Sequence, residues 1–366
     1  MREIGIITHP LNINYGGILQ NYALQQVLVR LGYSPITLRL SDPALKVKRT
    51  IYIVDVIKWV VKKILGRKVY FPITTKKKCR ILETNKKTMN FFVSKYIRCT
   101  PAKENLSIED IDTYRLEALV VGSDQVWRPK LVNNILANYF CGFAKDVSIN
   151  RIAYAASFGT DETEYSVDLQ EQTKKLVSKF SHVSVREMGG VKLAKKYWDI
   201  DAEWVLDPTL LLDTSDYEKL IAGESYTDEK YVFAYILDRS PRIMSLIHRL
   251  AKQNKCKVKV VLCGPTQKQV PIVSWLALIR DAVYVITDSF HGSVFSILFQ
   301  KQFLCINNIS RGVSRMDNLK EVTGLSDRFV SELKKVPSEK IDYISVNERL
   351  AKYRKASLNY ISNSLL

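Results

Sequence analysis

Short apolar runs alternating with segments of helical period dominate this chain, and that pattern constrains the fold more than any other feature. Candidate strands at 3–8, 35–39, 118–121, 151–155 and 183–186 are followed by a second series at 231–237, 257–263, 282–287 and 303–306. Most are largely apolar, which suits strands covered on both faces, and the stretches between them are long enough for crossover helices. The expected fold class is α/β, with parallel sheets covered by helices. At 366 residues the chain is too long for one small module, and two α/β halves are expected. Pro208 interrupts the apolar run 205–210, which places the junction there. The halves are then 1–208, the acceptor side, and 209–345, the donor side, followed by a helix at 346–366 that crosses back to the first half or joins a neighbouring subunit.

Charge is the second constraint, because it is not spread evenly. The segment 44–103 holds seventeen Lys or Arg against two acids, so +15 of the chain's +18 lies in sixty residues. An anionic surface or ligand beside that segment is the physical implication. Within it, Ile53, Val54, Ile57, Val60, Val61 and Ile64 recur at steps of three and four, with Lys58, Lys62, Lys63 and Arg67 around them and Trp59 and Tyr70 placed for a headgroup boundary. The stretch 51–67 reads as a basic amphipathic helix, either lying in the plane of a membrane or packed on the sheet with solvated lysines. The charged stretch lacks a helix-turn-helix, zinc or aromatic-interleaved pattern, so no nucleic-acid partner is expected. Six scattered cysteines without Cys-x-x-Cys spacing read as reduced core thiols. No signal-peptide pattern or transmembrane-length apolar run is present, so the expected location is cytoplasmic, peripheral at the inner face of the membrane.

Four strand-to-loop segments carry candidate chemistry. The first runs from strand 3–8 through Asn14, Tyr15, Gly16, Gly17 and Gln20 into a helix, the arrangement in which an α/β sheet offers backbone N–H groups to a polar ligand. It matches neither the dinucleotide fingerprint nor a phosphate-binding Walker loop. The second, Gly122-Ser123-Asp124-Gln125-Val126-Trp127, ends a strand on polar groups and an aromatic. The third delivers Arg186 and Glu187 at a strand end, where neighbouring side chains point to opposite faces. The fourth, Thr287-Asp288-Ser289-Phe290-His291-Gly292-Ser293, sets one of only four histidines in the first turn of an apolar helix, near the positive end of its dipole.

Taken in order with Asp207-Pro208 and the segment Arg311 to Arg328, these motifs resemble the polysaccharide pyruvyl transferase family over roughly residues 4–330. The resemblance implies two Rossmann-like domains facing a cleft, as in glycosyltransferases of the B architecture. It implies phosphoenolpyruvate as donor substrate, with no other cofactor; no cluster of His, Cys or carboxylates stands at ligand spacing, so no metal is expected. The acceptor would be a sugar of a capsule or exopolysaccharide, or a lipid-diphosphate-linked oligosaccharide precursor at an anionic membrane surface. Family members place an Arg at the position of Arg186 and a His at that of His291 against phosphoenolpyruvate, so these two are the expected catalytic residues. Asn14, Gly16, Gly17, Gln20, Ser123, Asp124, Trp127, Glu187, Asp288, Ser289, Ser293, Arg311 and Arg315 are the expected substrate-binding residues, with Trp127 stacking on a sugar face. One departure stands out: many members carry an Arg where this chain has Ser289, which leaves Arg311, Arg315 or Lys301 to supply that cation. The competing readings are a nucleotide-sugar glycosyltransferase of similar architecture and a non-catalytic, membrane-associated glycan-binding protein. The acceptor sugar, the hydroxyls bridged and the oligomeric state are not legible.

Overall fold

The structure is a computed structural model that describes the chain except residues 42–48, 65–72, 163, 225–228, 265–266, 308–313, 332–335 and 338; for 49–55, 62, 73–76, 133–134 and 314 it describes the backbone alone. Two parallel sheets organise it. The first contains β1 (Glu3–Ile7), β2 (Ser34–Thr37), β3 (Leu116–Val121), β4 (Asn150–Ala156), β5 (His182–Val185) and β6 (Glu203–Trp204), in the spatial order β2-β1-β3-β4-β5-β6. The second contains β7 (Tyr231–Ile236), β8 (Lys257–Leu262), β9 (Tyr284–Thr287), β10 (Gln302–Ile306) and β11 (Phe329–Val330), in the order β11-β10-β9-β7-β8. All pairings within both sheets are parallel.

Burial on both faces explains the apolar runs. Along β3, Ala118 and Val120 join one core cluster while Leu119 and Val121 join another on the opposite face. The first of these clusters also contains Phe233, Tyr235 and Val285 from β7 and β9, so it is continuous from one sheet to the other. Truncating Leu119, which has no exposed surface, would remove about 2–5 kcal/mol. Strands β6 and β11, two residues each, were beyond the reach of periodicity.

After helix α1 (Tyr15–Arg30) and strand β2, the basic excursion that leads to β3 has two differently placed helices, α2 (Arg49–Ile64) and α3 (Ile73–Tyr96). The second half of α3 is anchored: Met89, Phe92 and Val93 are buried in the shared core, and Phe92 meets Tyr22 edge-on. The chain then returns along the edge of β2, where Thr37 N–H donates to the Arg98 carbonyl and Thr100 N–H to the Thr37 carbonyl, both at 2.9 Å. The C-terminal helix, Tyr343–Ser364, crosses back to the first sheet. Tyr360 Oη donates to the Ala153 carbonyl at 3.2 Å, Leu206 N–H donates to Ser357 Oγ at 2.9 Å, and Asn150 reaches the Ser364 carbonyl at 3.2 Å. Among the described residues no helix is long and apolar enough to cross a membrane.

Candidate active site

In an open parallel sheet, ligands bind beyond the carboxyl ends of the strands where the chain order reverses. Both sheets reverse, the first between β1 and β3 and the second between β7 and β9. The two reversal points face each other across one cleft of about 640 Å³. Ile13 and Asn14, after β1, and Asp124, Gln125 and Arg128, after β3, line one side. Leu237 and Asp238, after β7, and Asp288 through His291, after β9, line the other, joined by Arg315. A cleft of this size matches small-molecule sites.

His291 is held by the turn from β9 into the helix Phe290–Leu298. Ser289 caps that helix, its Oγ accepting the Gly292 N–H at 3.3 Å, and the start of the helix points its positive dipole end at the cleft. The imidazole Nε2 lies 3.6 Å from Asp207 Oδ2. On its other side the ring lies against Gly16 of the helix Tyr15–Arg30, where a Cβ would overlap Nδ1. Gly16 therefore provides room for a histidine from the facing domain.

Behind His291 runs a chain of buried charges. Asp207 Oδ2 accepts from Arg186 Nη1 at 2.7 Å, and Asp207 Oδ1 accepts from the Thr209 N–H at 3.0 Å and the Thr209 hydroxyl at 2.6 Å. Arg186 Nη2 reaches Asp124 Oδ1 at 3.3 Å, and its guanidinium carbon sits 5.0 Å from the Phe290 ring centre. Burial alone would raise the Asp207 carboxyl, but His291 and Arg186 outweigh it and hold the group well below the usual carboxylate range. Asp124 follows the same logic: burial opposes ionisation, and Arg186, His9 and His291 still bring it down to about 2. For Arg186, burial works against the charge, yet Asp207 and Asp124 raise its pKa above the ordinary value. Burial and the neighbouring Arg186 lower Arg315 to about 10, which leaves it cationic at neutral pH.

Six of the residues expected from sequence line the cleft: Asn14, Asp124, Asp288, Ser289, His291 and Arg315. Asp288 also has an architectural task, accepting the N–H groups of Leu237 at 2.7 Å and Asp238 at 2.9 Å and so shaping the end of β7. Several others point elsewhere. Trp127 cannot stack on a sugar: it is 0% exposed, stacked on Phe140, with its indole N–H donated to the Tyr139 carbonyl. Glu187 does not line the cleft, and its Oε1 gathers the Ser157 hydroxyl and the N–H groups of Phe158 and Gly159 into a turn. Gln20 binds Thr8 Oγ1, the Gly17 carbonyl and the Ser123 N–H, while Ser123 Oγ donates to the Ala155 carbonyl, so both join strand ends instead of contacting the cleft. Ser293 donates to the Ser289 carbonyl inside its helix. Gly17 lies beside the Asn14 side chain and does not line the cleft. Arg186 lines a small neighbouring pocket with Asp207, Phe290 and Arg315, one layer behind the cleft surface. Arg311 lies outside the described residues. Lys301 donates to the Arg280 carbonyl and does not line the cleft.

Two groups were missed as site residues. Asp207 stands before a proline and had signalled only a junction and a family motif; its contacts with Arg186 and His291 span 21 and 84 residues of sequence. Arg128, which donates to Glu164 and Gln125 at the cleft wall, lies four residues after Asp124 in the same loop.

Comparison with known proteins agrees with this architecture. A family model described as polysaccharide pyruvyl transferase matches residues 14–310. No relative was found among curated proteins. Among solved structures, a protein assigned as a UDP-N-acetylglucosamine 2-epimerase from Listeria monocytogenes superposes with a TM-score of 0.50 at 8% identity, covering 99% of this chain and 90% of that one. UDP-GlcNAc 2-epimerase from Neisseria meningitidis matches with a TM-score of 0.47 at 11% identity, covering 98% and 94%, and the rhamnosyltransferase SpnG with 0.37 at 10%, covering 100% and 96%. Such likenesses concern the two-domain fold, which many chemistries share.

Proposed function

The chain belongs to the polysaccharide pyruvyl transferase family, and on that premise we propose that it moves the pyruvyl group of phosphoenolpyruvate onto two hydroxyls of one sugar as a cyclic ketal. The acceptor in this reading is a surface polysaccharide or its lipid-linked oligosaccharide precursor, met on the cytoplasmic side where phosphoenolpyruvate is made. The observation that carries it is the pairing of His291 with buried Asp207 at the wall of a cleft that Arg128 and Arg315 also line. A donor with both a carboxylate and a phosphate needs two cationic groups, and a planar guanidinium fork suits each.

The chemistry asks for a mobile proton. One sugar hydroxyl adds to C2 of the donor and gives up its proton, while C3 takes a proton and becomes a methyl group. The bond from C2 to the phosphate oxygen then breaks and phosphate leaves with the electron pair; the second hydroxyl closes the ring on C2, and its proton goes to the departing phosphate. His291 is assigned the proton delivered to C3 and regained from a hydroxyl, a role worth about 10²–10⁴ in rate. Asp207 keeps the ring oriented and balances its charge when protonated, and Arg186 keeps Asp207 ionised. Arg186 thus acts through Asp207 in place of gripping the donor. Arg315 and the start of the helix Phe290–Leu298 take over the anion-binding task and meet the charge on departing phosphate. Asn14 and Asp124 orient the acceptor hydroxyls. No metal or resident cofactor enters this sequence of steps.

Ser289 favours one alternative, a nucleotide sugar as donor, because the cation that many family members carry there is replaced by a helix cap. Thermal unfolding separates the two. A ligand at 100 times its dissociation constant adds about 2.7 kcal/mol of stability. Phosphoenolpyruvate is expected to raise the melting temperature of the wild type and to lose that effect in Arg315→Ala. A rise with nucleotide sugars alone would overturn the donor assignment.

A further inference from the structure

Helix α2 exposes its apolar side. Ile57, Val60, Val61 and Ile64 follow the i, i+3, i+4, i+7 spacing of one helix face, and they are 55%, 40%, 49% and 79% exposed. A soluble helix normally turns such a stripe toward the core. Here the packed-on-the-sheet reading of this segment fails for all four residues. Lys58 and Lys63 beside the stripe are exposed as well, and Lys63 Nζ lies 4.8 Å from the centre of the Trp59 ring. An apolar face bordered by lysines is the composition of a helix that lies in a lipid interface. We propose that α2 docks the protein on an anionic lipid bilayer, with its axis in the plane of the interface.

The charge distribution selects this occupant. Sixty residues around α2 hold +15, and α2 contains a single acid, Asp55. A second copy of the chain would bring an equally positive face against this one, which repulsion disfavours. A nucleic acid would use the lysines but leave Ile57, Val60, Val61 and Ile64 in water. An anionic bilayer satisfies both sets, since each Lys or Arg near such a surface contributes attraction and each apolar side chain leaves water.

Position gives the docking a consequence. Along α3, Asn85 Nδ2 donates to the Gln267 carbonyl at 2.7 Å and Asn85 Oδ1 accepts the Gln269 N–H at 3.0 Å. Gln269 in turn donates to the carbonyl of Ile13, a cleft residue. The basic excursion is therefore tied to the cleft rim from both domains. Through α3, the excursion that carries α2 thus reaches residues of the cleft rim, which is where the docked protein would meet a sugar chain on a lipid carrier.

Vesicle sedimentation of the full chain tests this without donor or acceptor, so its failure is distinct from failure of the pyruvyl reading. The wild type is expected to sediment with vesicles of phosphatidylcholine and phosphatidylglycerol and to stay in solution with phosphatidylcholine alone. Replacing Lys58 and Lys63 by Ala should weaken partitioning about thirtyfold, from roughly 1 kcal/mol for each cation and tenfold per 1.4 kcal/mol. Replacing Ile57 and Val61 by Asp should abolish it with the melting temperature unchanged. The proposal is overturned by a wild type that stays in solution with anionic vesicles or by an aspartate variant that still sediments. A wild-type dimer that the aspartate variant dissociates would assign the stripe to a second copy, and RNA binding equal in both proteins, with no vesicle binding, would assign the cations to nucleic acid.

Discussion

Arg186 and Lys58 carry the same charge in opposite surroundings. Arg186 is buried between Asp207 and Asp124, with an aromatic ring against its guanidinium, and every partner is supplied by this chain. Lys58 is exposed beside a bare apolar stripe. Buried charge must be matched inside the fold, because an unmatched ion in the interior costs several kcal/mol. Exposed charge is screened by water and salt and contributes little to stability. The two regions direct their charges differently: the cleft charges set the protonation of one another, and the helix charges face solvent.

The comparison can be broken at several points. The largest effect is expected for Asp207→Ala, which leaves Arg186 half-paired in the interior. It should lower unfolding free energy by about 3–5 kcal/mol in urea titration and remove turnover as well. Next comes His291→Asn, which should reduce turnover about 10²–10⁴-fold with a near-normal melting temperature, separating chemistry from stability. Gly16→Ala pushes a methyl group into the His291 ring and should cost about 1–3 kcal/mol, while turnover falls because the imidazole must move. Acid unfolding sharpens the electrostatic side. Asp124 titrates at about 2 in the fold against an ordinary 3.8, so the stability it contributes is present above about pH 4 and is lost as pH falls toward 2. Urea titrations across that range should show a slope that Asp124→Asn flattens. The smallest effect is expected for Lys58→Ala with Lys63→Ala, which should leave the melting temperature unchanged, as surface substitutions usually do.

Legibility followed the range of the interactions concerned. All nine strands read from apolar runs are present, because a strand buried on both faces writes its location into consecutive residues. His291 and Arg315 were legible through local context, one as a histidine opening a helix and the other through resemblance. Asp207 was not legible as a site residue, since its partners lie far along the chain and meet only when both sheets are folded. Trp127 shows the converse error. An aromatic after a strand end has the same local pattern whether it faces ligand or core, and only the ring packing of Phe140, Phe158 and Trp198 decides. Gly16 was noticed for a reason the fold replaced: the missing side chain admits a histidine from the other domain.

The central claim is that the His291–Asp207 pair moves the proton that converts phosphoenolpyruvate into a sugar-bound ketal. The most direct measurement is transfer of radiolabel from carboxyl-labelled phosphoenolpyruvate into a lipid-linked glycan extract, with released phosphate counted in parallel, for wild type and His291→Asn. The account predicts one phosphate released per label incorporated in the wild type and loss of both signals in the variant. Equal incorporation by the two proteins would contradict it.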